Sequence, residues 1–381
     1  MIPVDIYLVI FDYISPSRGR PDDEEIKILA KMAAVCRLFG QIALPRIFEY
    51  AHFSGAMMES KSSAHLNRLC RSIVAGEKLA QVIALCVEVC HFTDFEMKDT
   101  FLWGMSMFSE LYASGMAYMK NIHQLKFLHS FVRKEHWEAI MNMEALEEVV
   151  FDACEFYEGP SPSRGGQVPQ FRVSRLEVLR CLGIDYVVPA VDSRSLRFLK
   201  TDIDFARRII WHRESILEEL YIEGERMVDR SAAELPVLPP TLAQIPPSVI
   251  VLSLRIPGKD EEIKSLSRLC VWDIVPGLRE FKLEVVREKH EPDISAYTVI
   301  ASIRGCWRHE GLQSFVLHYV GNNGRPPETE RVKTLIRDTF SNAFPNINFV
   351  DIYGTALRLV GRKWVHVSSS DEYVNVNHVM I

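Results

Sequence analysis

The apolar positions near the start of the chain predict a helix that is apolar on more than one side. Ile6, Ile10 and Ile14 lie on one stripe at helical spacing, and Tyr7 and Phe11 widen that stripe. A segment of about fifty residues cannot bury this much apolar surface by itself. We therefore expect one side of the helix to be covered, either by a partner protein or by the rest of the chain.

Two more short helices are predicted before residue 50. Asp22 and Glu25 have the spacing of a capping box, which predicts that the second helix begins beside Asp22. The apolar residues from Val35 to Leu44 predict the third helix. The chain thus opens with a three-helix segment.

A different pattern, apolar-x-x-apolar-x-apolar, recurs through the rest of the chain. Its copies are Phe48/Ala51/Phe53, Val82/Leu85/Val87, Ile122/Leu125/Phe127, Leu146/Val149/Phe151, Leu176/Leu179/Cys181, Leu196/Leu199/Thr201, Leu217/Leu220/Ile222, Val249/Leu252/Leu254, Leu278/Phe281/Leu283, Leu312/Phe315/Leu317 and Ile347/Val350/Ile352. Such a triad is typical of the strand in a leucine-rich repeat, whose regular period is roughly 20–29 residues. Some intervals here are longer, which predicts an irregular form. Cys154 is expected at the position of the Asn or Cys that follows such a strand.

The segments between the triads carry helical patterns. Helices are predicted over residues 100–119, 204–215, 260–272, 294–307 and 328–340. A strand followed by a helix, many times over, predicts an α/β fold: a curved solenoid with a mainly parallel sheet and outer helices.

Three domains are predicted from these patterns: residues 1–50 as the helical segment, 51–363 as the solenoid, and 364–381 as a C-terminal cap or tail. Loops rich in glycine or proline interrupt the solenoid at residues 159–166 and 236–247. Neither loop is interpreted as a domain linker, because the triads resume after each one.

The opening segment resembles an F-box. The residues that carry the resemblance are Ile2, Pro3, Asp5, Ile6, Ile10, Phe11, Ile14, Leu29, Val35, Cys36, Arg37 and Phe39. Phe39 stands where tryptophan is commoner in the family, and the loop at residues 15–21 is long. With its Ala43 to Phe48 stretch, the whole chain is similar to the F-box proteins that are abundant in mushroom-forming fungi.

The resemblance implies a substrate-recognition subunit of a Skp–cullin–F-box ubiquitin ligase. Contact with the Skp-type adaptor is then expected from the apolar side chains of Pro3, Ile6, Ile10, Phe11, Val35 and Phe39. The solenoid would hold an unknown target protein, and the chain would carry no catalytic residue and no cofactor. A repeat scaffold with a degenerate F-box is the alternative.

Strand alternation suggests which residues would touch a target protein. Lys200, Tyr221, Lys282, His318 and Tyr353 lie between or beside triad positions, so they are expected on the concave face of the sheet. A mixture of charged and aromatic side chains suits a protein surface. The alternative is that these residues are solvated strand residues without a partner.

Composition narrows the possible partners and the possible cellular compartments of the protein. The net charge of −6 over 381 residues argues against nucleic acid as a partner. Eight scattered cysteines favour a reducing compartment, and no apolar stretch is long enough for a membrane span, so we expect the cytoplasm or the nucleus.

Candidate chemistry is sparse. Cys86, Cys90 and His91 could suggest a metal site, but residues 82–90 read as a strand and no second ligand pair is near, so we expect no metal. An enzyme on a mixed α/β fold is the third hypothesis, which only the abundance of Cys, His and Asp supports.

Overall fold

A computed structural model describes residues 3–14, 22–55, 61–95, 102–162, 166, 168–224, 244–257, 275–286, 309–320, 329–352, 354–361 and 363–367. The predicted α/β class with a mainly parallel sheet is confirmed. The chain divides into two compact units, residues 1–192 and 193–381.

The first unit begins with three helices and continues with a parallel sheet. Its helices are α1 (Val4–Ile14), α2 (Asp23–Ala33), α3 (Arg37–Phe48), α4 (Lys61–Val74), α5 (Lys78–Ala84), α6 (Leu102–Met116) and α7 (Lys134–Met141). Its sheet has the order β1 (Tyr50–Ser54), β2 (Val89–Thr93), β3 (Gln124–Leu128), β5 (Glu148–Asp152) and β7 (Arg175–Leu179). Two short strands, β4 (Phe131–Val132) and β6 (Glu155–Phe156), form a separate parallel pair. Single 3₁₀ turns occur at Ile184–Tyr186 and Val188–Ala190.

The second unit has a longer sheet with an antiparallel end. Parallel strands follow one another as β8 (Phe198–Asp202), β9 (Glu219–Glu223), β10 (Val251–Pro257), β11 (Glu280–Val286), β12 (Ser314–Val320) and β13 (Phe349–Ile352). Strands β14 (Thr355–Val360) and β15 (Lys363–Val367) complete the sheet in antiparallel orientation. The helices described in this unit are α8 (Ile203–Arg208) and α9 (Thr329–Ala343).

One backbone arrangement repeats at the start of the strands. The carbonyl of Glu49 accepts hydrogen bonds from the N–H groups of Glu88 and Val89, each at 2.9 Å. The same double acceptance occurs at the carbonyls of Glu88, His123, Glu147, Arg197, Glu218, Ile250, Arg279 and Gln313. Because each strand begins in the same way on its predecessor, the strands of each unit share one register, and their triad residues align into a common core.

Two of the predicted triads have the wrong register. Val82 is exposed in α5, and the residues that β2 and its preceding turn bury are Val87, Cys90 and Phe92. The strand predicted over residues 82–90 is therefore mostly wrong, because α5 continues to Ala84 and β2 begins only at Val89. An apolar pattern over so few residues fits a helix as well as a strand, and in the folded chain residues 78–84 pack as helix α5.

The second register error lies at β7. The predicted triad Leu176/Leu179/Cys181 is replaced by Val173, Leu176 and Val178, each at most 2% exposed. The neighbouring strand determines this choice, because Leu176 pairs with the buried Val149 of β5. The remaining predicted triads keep their register, with the second and third residues buried on the strands.

The predicted helices differ from the structure mainly in their ends. The helix predicted over 204–215 ends at Arg208, because the backbone of Ile209 is extended (φ −63°, ψ 133°). The helices predicted over 100–119 and 328–340 correspond to α6 and α9. Those predicted over 260–272 and 294–307 lie outside the described residues.

Both predicted domain boundaries fall within strands. The boundary after residue 50 lies in β1, and the boundary after residue 363 lies in β15. The C-terminal segment does pair with the sheet, but through a hairpin that begins at Thr355. The loop at 159–166 has no helix or strand in its described part, and most of 236–247 lies outside the described residues.

Small polar side chains link successive turns after the strands of the first unit. The Sγ of Cys154, which follows β5, donates to the carbonyl of Phe127 on β3 at 3.2 Å. Ser130 and Cys181 take the same position after their strands and reach the carbonyl of the preceding strand at 3.4 Å and 3.5 Å. Each of these residues follows a positive-φ residue, so the chain turns sharply there.

Candidate functional site

The N-terminal helical module, which comprises helices α1 to α3, has a small core of its own. Phe11, Leu29 and Ala43 are completely buried there. The ring of Phe39 lies at the edge of this core, 5.3 Å from the ring of Tyr7 and 5.6 Å from that of Phe11. Apolar packing therefore fixes the three helices without help from the outer side of α1.

Charged groups support this packing. The Asp12 carboxylate of α1 forms an ion pair with Arg46 of α3, and the Arg46 guanidinium lies 5.9 Å from the centre of the Phe11 ring. The predicted capping box is confirmed at the start of α2, where Asp22 accepts from the N–H of Glu25 and the Glu25 carboxylate accepts from the N–H of Asp22, both at 2.8 Å.

The outer side of α1 exposes a row of apolar side chains, which we call the α1 apolar face. The exposed fractions are 50% for Ile6, 66% for Val9, 45% for Ile10 and 91% for Tyr13. Val35, in the turn before α3, is 69% exposed. Large contiguous apolar patches are typical of interaction surfaces, so this face is the candidate docking surface of the module.

The structure changes the predicted adaptor-contacting set in one respect. Phe11 is completely buried and cannot contact a partner while this fold is maintained. Phe39 is half-buried against it, whereas Pro3, Ile6 and Ile10 are exposed. On a helix that is apolar on more than one side, the sequence pattern alone could not show which stripe faces inward.

Side chains of the second unit that alternate with its buried strand residues form a second surface, which we call the open sheet face. Lys200, Tyr221 and Lys282 share one row across the strands, because Lys200 pairs with Tyr221 and Lys282 is in register with both through Ser253. His318 lies in the next row, and all four side chains are half-buried, opposite the core. Tyr353 lies outside the described residues.

An ion-pair network occupies the middle of the open sheet face. Glu223 lies 3.1 Å from Lys200 and 3.8 Å from Arg255. Glu284 lies 2.6 Å from Lys282 and 4.0 Å from the same Arg255. Three cations are therefore matched to two carboxylates in this part of the face.

His318 has a partner of its own on this face. Its Nε2 lies 3.0 Å from the Oδ2 of Asp351, and the Asp351 side chain is only 5% exposed. This contact limits the freedom of the imidazole, so His318 presents a fixed edge to solvent.

Two glutamates in the adjacent row were missed by the sequence interpretation. Glu219 and Glu280 lie on either side of Val251, in register on β9, β10 and β11. Partial burial, and then the nearby Glu219 carboxylate, raise the pKa of Glu280. The signal was available, since each glutamate precedes a predicted face residue, Tyr221 or Lys282, by two positions on its strand.

The residues considered for a metal site do not come together. On β2, Cys90 points into the core and His91 points to the other face, because neighbouring strand residues alternate. Cys86 precedes the strand and donates to the carbonyl of Val82. Within the part of the chain that the structure describes, no three His, Cys, Asp or Glu side chains are placed to hold a metal ion.

Trp137 and the adjacent basic pair Arg207 and Arg208 have structural roles in this fold. Trp137 is completely buried in α7, and its Nε1 donates to the carbonyl of Glu158 at 2.7 Å. Arg207 and Arg208 form the last turn of α8, where basic side chains suit the helix dipole. Among the described helices, none combines the length and the apolar character that crossing a membrane requires.

The chain was also compared with known proteins. It matches no model of a protein family and no curated protein. The two surfaces, the α1 apolar face and the open sheet face, are therefore the features from which its function is inferred.

Proposed function

We propose that this protein is the substrate-recognition subunit of a Skp–cullin–F-box ubiquitin ligase. In this proposal the N-terminal helical module is an F-box that binds a Skp-type adaptor. The strands that follow it in the chain form an irregular leucine-rich-repeat solenoid that binds a target protein. The chain itself supplies no chemistry, and ubiquitin transfer takes place elsewhere in the complex.

The observation that carries the proposal is the α1 apolar face. Its side chains are exposed although the module already has a core of its own around Phe11, so the face is not needed for folding. A contiguous row of exposed isoleucine and valine side chains gains free energy when a partner covers it, whereas single exposed apolar residues are common on protein surfaces. The motif residues Pro3, Ile6, Ile10 and Val35 lie in the exposed set, which supports adaptor binding at this face.

The repeating backbone supports the second half of the proposal. The parallel strands begin with the same hydrogen-bond arrangement, one after another. Equivalent positions after three of the strands are occupied by Ser130, Cys154 and Cys181. Both features are typical of a repeat architecture. Repeat proteins bind large partners on extended surfaces. Holding a target beside the ligase raises its effective concentration there.

Co-purification of the full-length chain with a Skp-type adaptor tests the proposal. We expect a stable complex, and we expect Ile6→Ala with Ile10→Ala to weaken it. Truncating two half-exposed isoleucines removes about 2 kcal/mol of interface burial, which corresponds to roughly a thirtyfold loss of affinity. The measurement is the dissociation constant by calorimetry or biolayer interferometry.

A matched control distinguishes a specific loss from a general one. Leu79 and Val82 are 68% and 57% exposed on α5 of the same unit, so Leu79→Ala with Val82→Ala removes similar exposed apolar surface elsewhere. The control should bind the adaptor like the wild type. If a correctly folded wild-type chain binds no adaptor, the proposal is wrong and the scaffold alternative takes its place.

A further inference from the structure

The open sheet face carries more acidic than basic groups among its described residues. Ion pairs match Glu223 and Glu284 to cations, but Glu219 and Glu280 are in no ion pair with a described residue. The only hydrogen bond described for either carboxylate is from the Tyr221 hydroxyl to Glu219, at 3.1 Å. The row of β9 to β11 therefore has uncompensated negative charge.

The spacing of the two carboxylates suits a shared cation. Glu219 and Glu280 are two strands apart, which places their backbones about 10 Å from each other across Val251. Side chains of this length can both reach a positive group above Val251. Desolvation and, after it, the nearby Glu219 carboxylate raise the pKa of Glu280, and a cation bound between the two carboxylates would favour their ionised forms.

An aromatic pair borders the acidic row. The rings of Phe198 and Tyr221 lie 5.1 Å apart at an interplanar angle of 34°, and both are half-buried on the open sheet face. Because the Tyr221 hydroxyl bonds to Glu219, the ring is held beside the carboxylate. A planar guanidinium stacks on aromatic faces and pairs with carboxylates, and a lysine ammonium does so less well.

We propose that the open sheet face of strands β8 to β11 docks a positively charged, arginine-bearing segment of another protein. An arginine side chain would lie between Glu219 and Glu280, with its plane against Tyr221. This inference rests on the proposed function only in that the docked protein would be the ligase target. The same charges disfavour nucleic acid, whose phosphates would meet carboxylates, and a second copy of this face, which would repel it.

Binding of defined peptides to the full-length chain tests this proposal. The probe is a short fluorescein-labelled peptide of alternating serine and arginine, followed by fluorescence anisotropy at low and at physiological ionic strength. Peptides with lysine or glutamate in place of arginine are measured in parallel. We expect the order of affinity to be arginine, then lysine, with no binding of the glutamate peptide.

Variants locate the binding on the face. Glu219→Gln with Glu280→Gln should weaken arginine-peptide binding about tenfold, since two charge pairs are lost. Tyr221→Leu should reduce the preference for arginine over lysine. Glu144→Gln with Glu310→Gln changes the net charge equally at two exposed positions off this face and should leave binding unchanged.

Folding does not confound the test. Glu and Gln have nearly the same shape, and removing two carboxylates that repel each other should leave thermal unfolding unchanged or shifted slightly upward. Equal losses in the face variant and the control variant would overturn the proposal, as would equal binding of the glutamate peptide. Because the assay contains no adaptor, failure here is distinct from failure to bind a Skp-type adaptor.

Discussion

At mildly acidic pH, the first unit should lose stability through a single buried imidazole, that of His136 in α7. The side chain is 1% exposed and its ring centre lies 5.6 Å from those of Phe92 and Phe127. Its Nδ1 accepts the N–H of Arg133 at 3.2 Å, which leaves the proton on Nε2, 3.1 Å from the Ser109 hydroxyl. Both ring nitrogens are thus used by the neutral form.

Burial lowers the pKa of His136 from 6.5 to about 3, with a smaller contribution from the Arg133 charge. In the unfolded chain the imidazole takes up a proton near its ordinary pKa, whereas in the folded chain it stays neutral until the pH is near 3. The unfolded state therefore binds more protons between these values, and the free energy of unfolding falls as the pH falls. The slope is about 1.4 kcal/mol per pH unit, so the loss between pH 7 and pH 5 is about 2 kcal/mol.

His136→Gln isolates this effect. His136 is the third residue of α7, where glutamine is a normal capping-box partner, so Gln can accept the same N–H without titrating. Urea unfolding of both proteins at several pH values, followed by the fluorescence of buried tryptophans such as Trp137, gives the free energies. Carboxylates titrate alike in both proteins and cancel in the difference.

The wild type should lose about 2 kcal/mol more than His136→Gln between pH 7 and pH 5. Parallel curves for the two proteins over this interval would refute the reasoning, because they would show that the folded state takes up the proton as readily as the unfolded chain. A smaller difference that appears only below pH 5 would also contradict it.

Two further substitutions test backbone and packing. Gly183→Ala should lower the free energy of unfolding by about 3 kcal/mol, because at φ +71° the new Cβ would lie 2.3 Å from the carbonyl oxygen of Phe156. The control Gly76→Ala, at φ +81° with open space around it, should lower it by only about 1 kcal/mol. Equal losses for the two variants in thermal melts would refute the steric argument. Cys154→Ala should lower the free energy of unfolding by about 1–2 kcal/mol, because it leaves a buried cavity and removes a hydrogen bond. Cys86→Ala, at a half-exposed position, should leave the free energy measured by chemical denaturation nearly unchanged. A larger loss for Cys86→Ala than for Cys154→Ala would contradict the role of Cys154.

Parts of the fold were predictable because they repeat. A triad such as Leu217/Leu220/Ile222 marks a strand when the same spacing returns after each helix. The predicted register is wrong at residues 82–87, where apolar residues follow one another, and at residues 176–181, where Val173/Leu176/Val178 and Leu176/Leu179/Cys181 both fit the pattern. At β7, pairing with a strand far away in the sequence made the choice.

For the two candidate surfaces, too, the local sequence pattern predicted one part and tertiary packing decided the other. The pattern of α1 indicated that the helix is apolar on two sides, but packing against α2 and α3 decided that Phe11 is inside and Ile10 outside. The acidic row on the open sheet face needed register between strands, since Glu219 and Glu280 are 61 residues apart (280 − 219) and only pairing through β10 brings them together.

By itself, the sequence determined the class of the fold, the positions of most strands and the presence of an apolar surface at the start of the chain. These follow from local periodicity, which is set by the geometry of a helix or a strand. Only the tertiary structure decided which apolar stripe is buried, which register each ambiguous strand adopts and which charges share a face. Those choices depend on burial and pairing between distant segments, and that free energy is not contained in any one stretch of the chain.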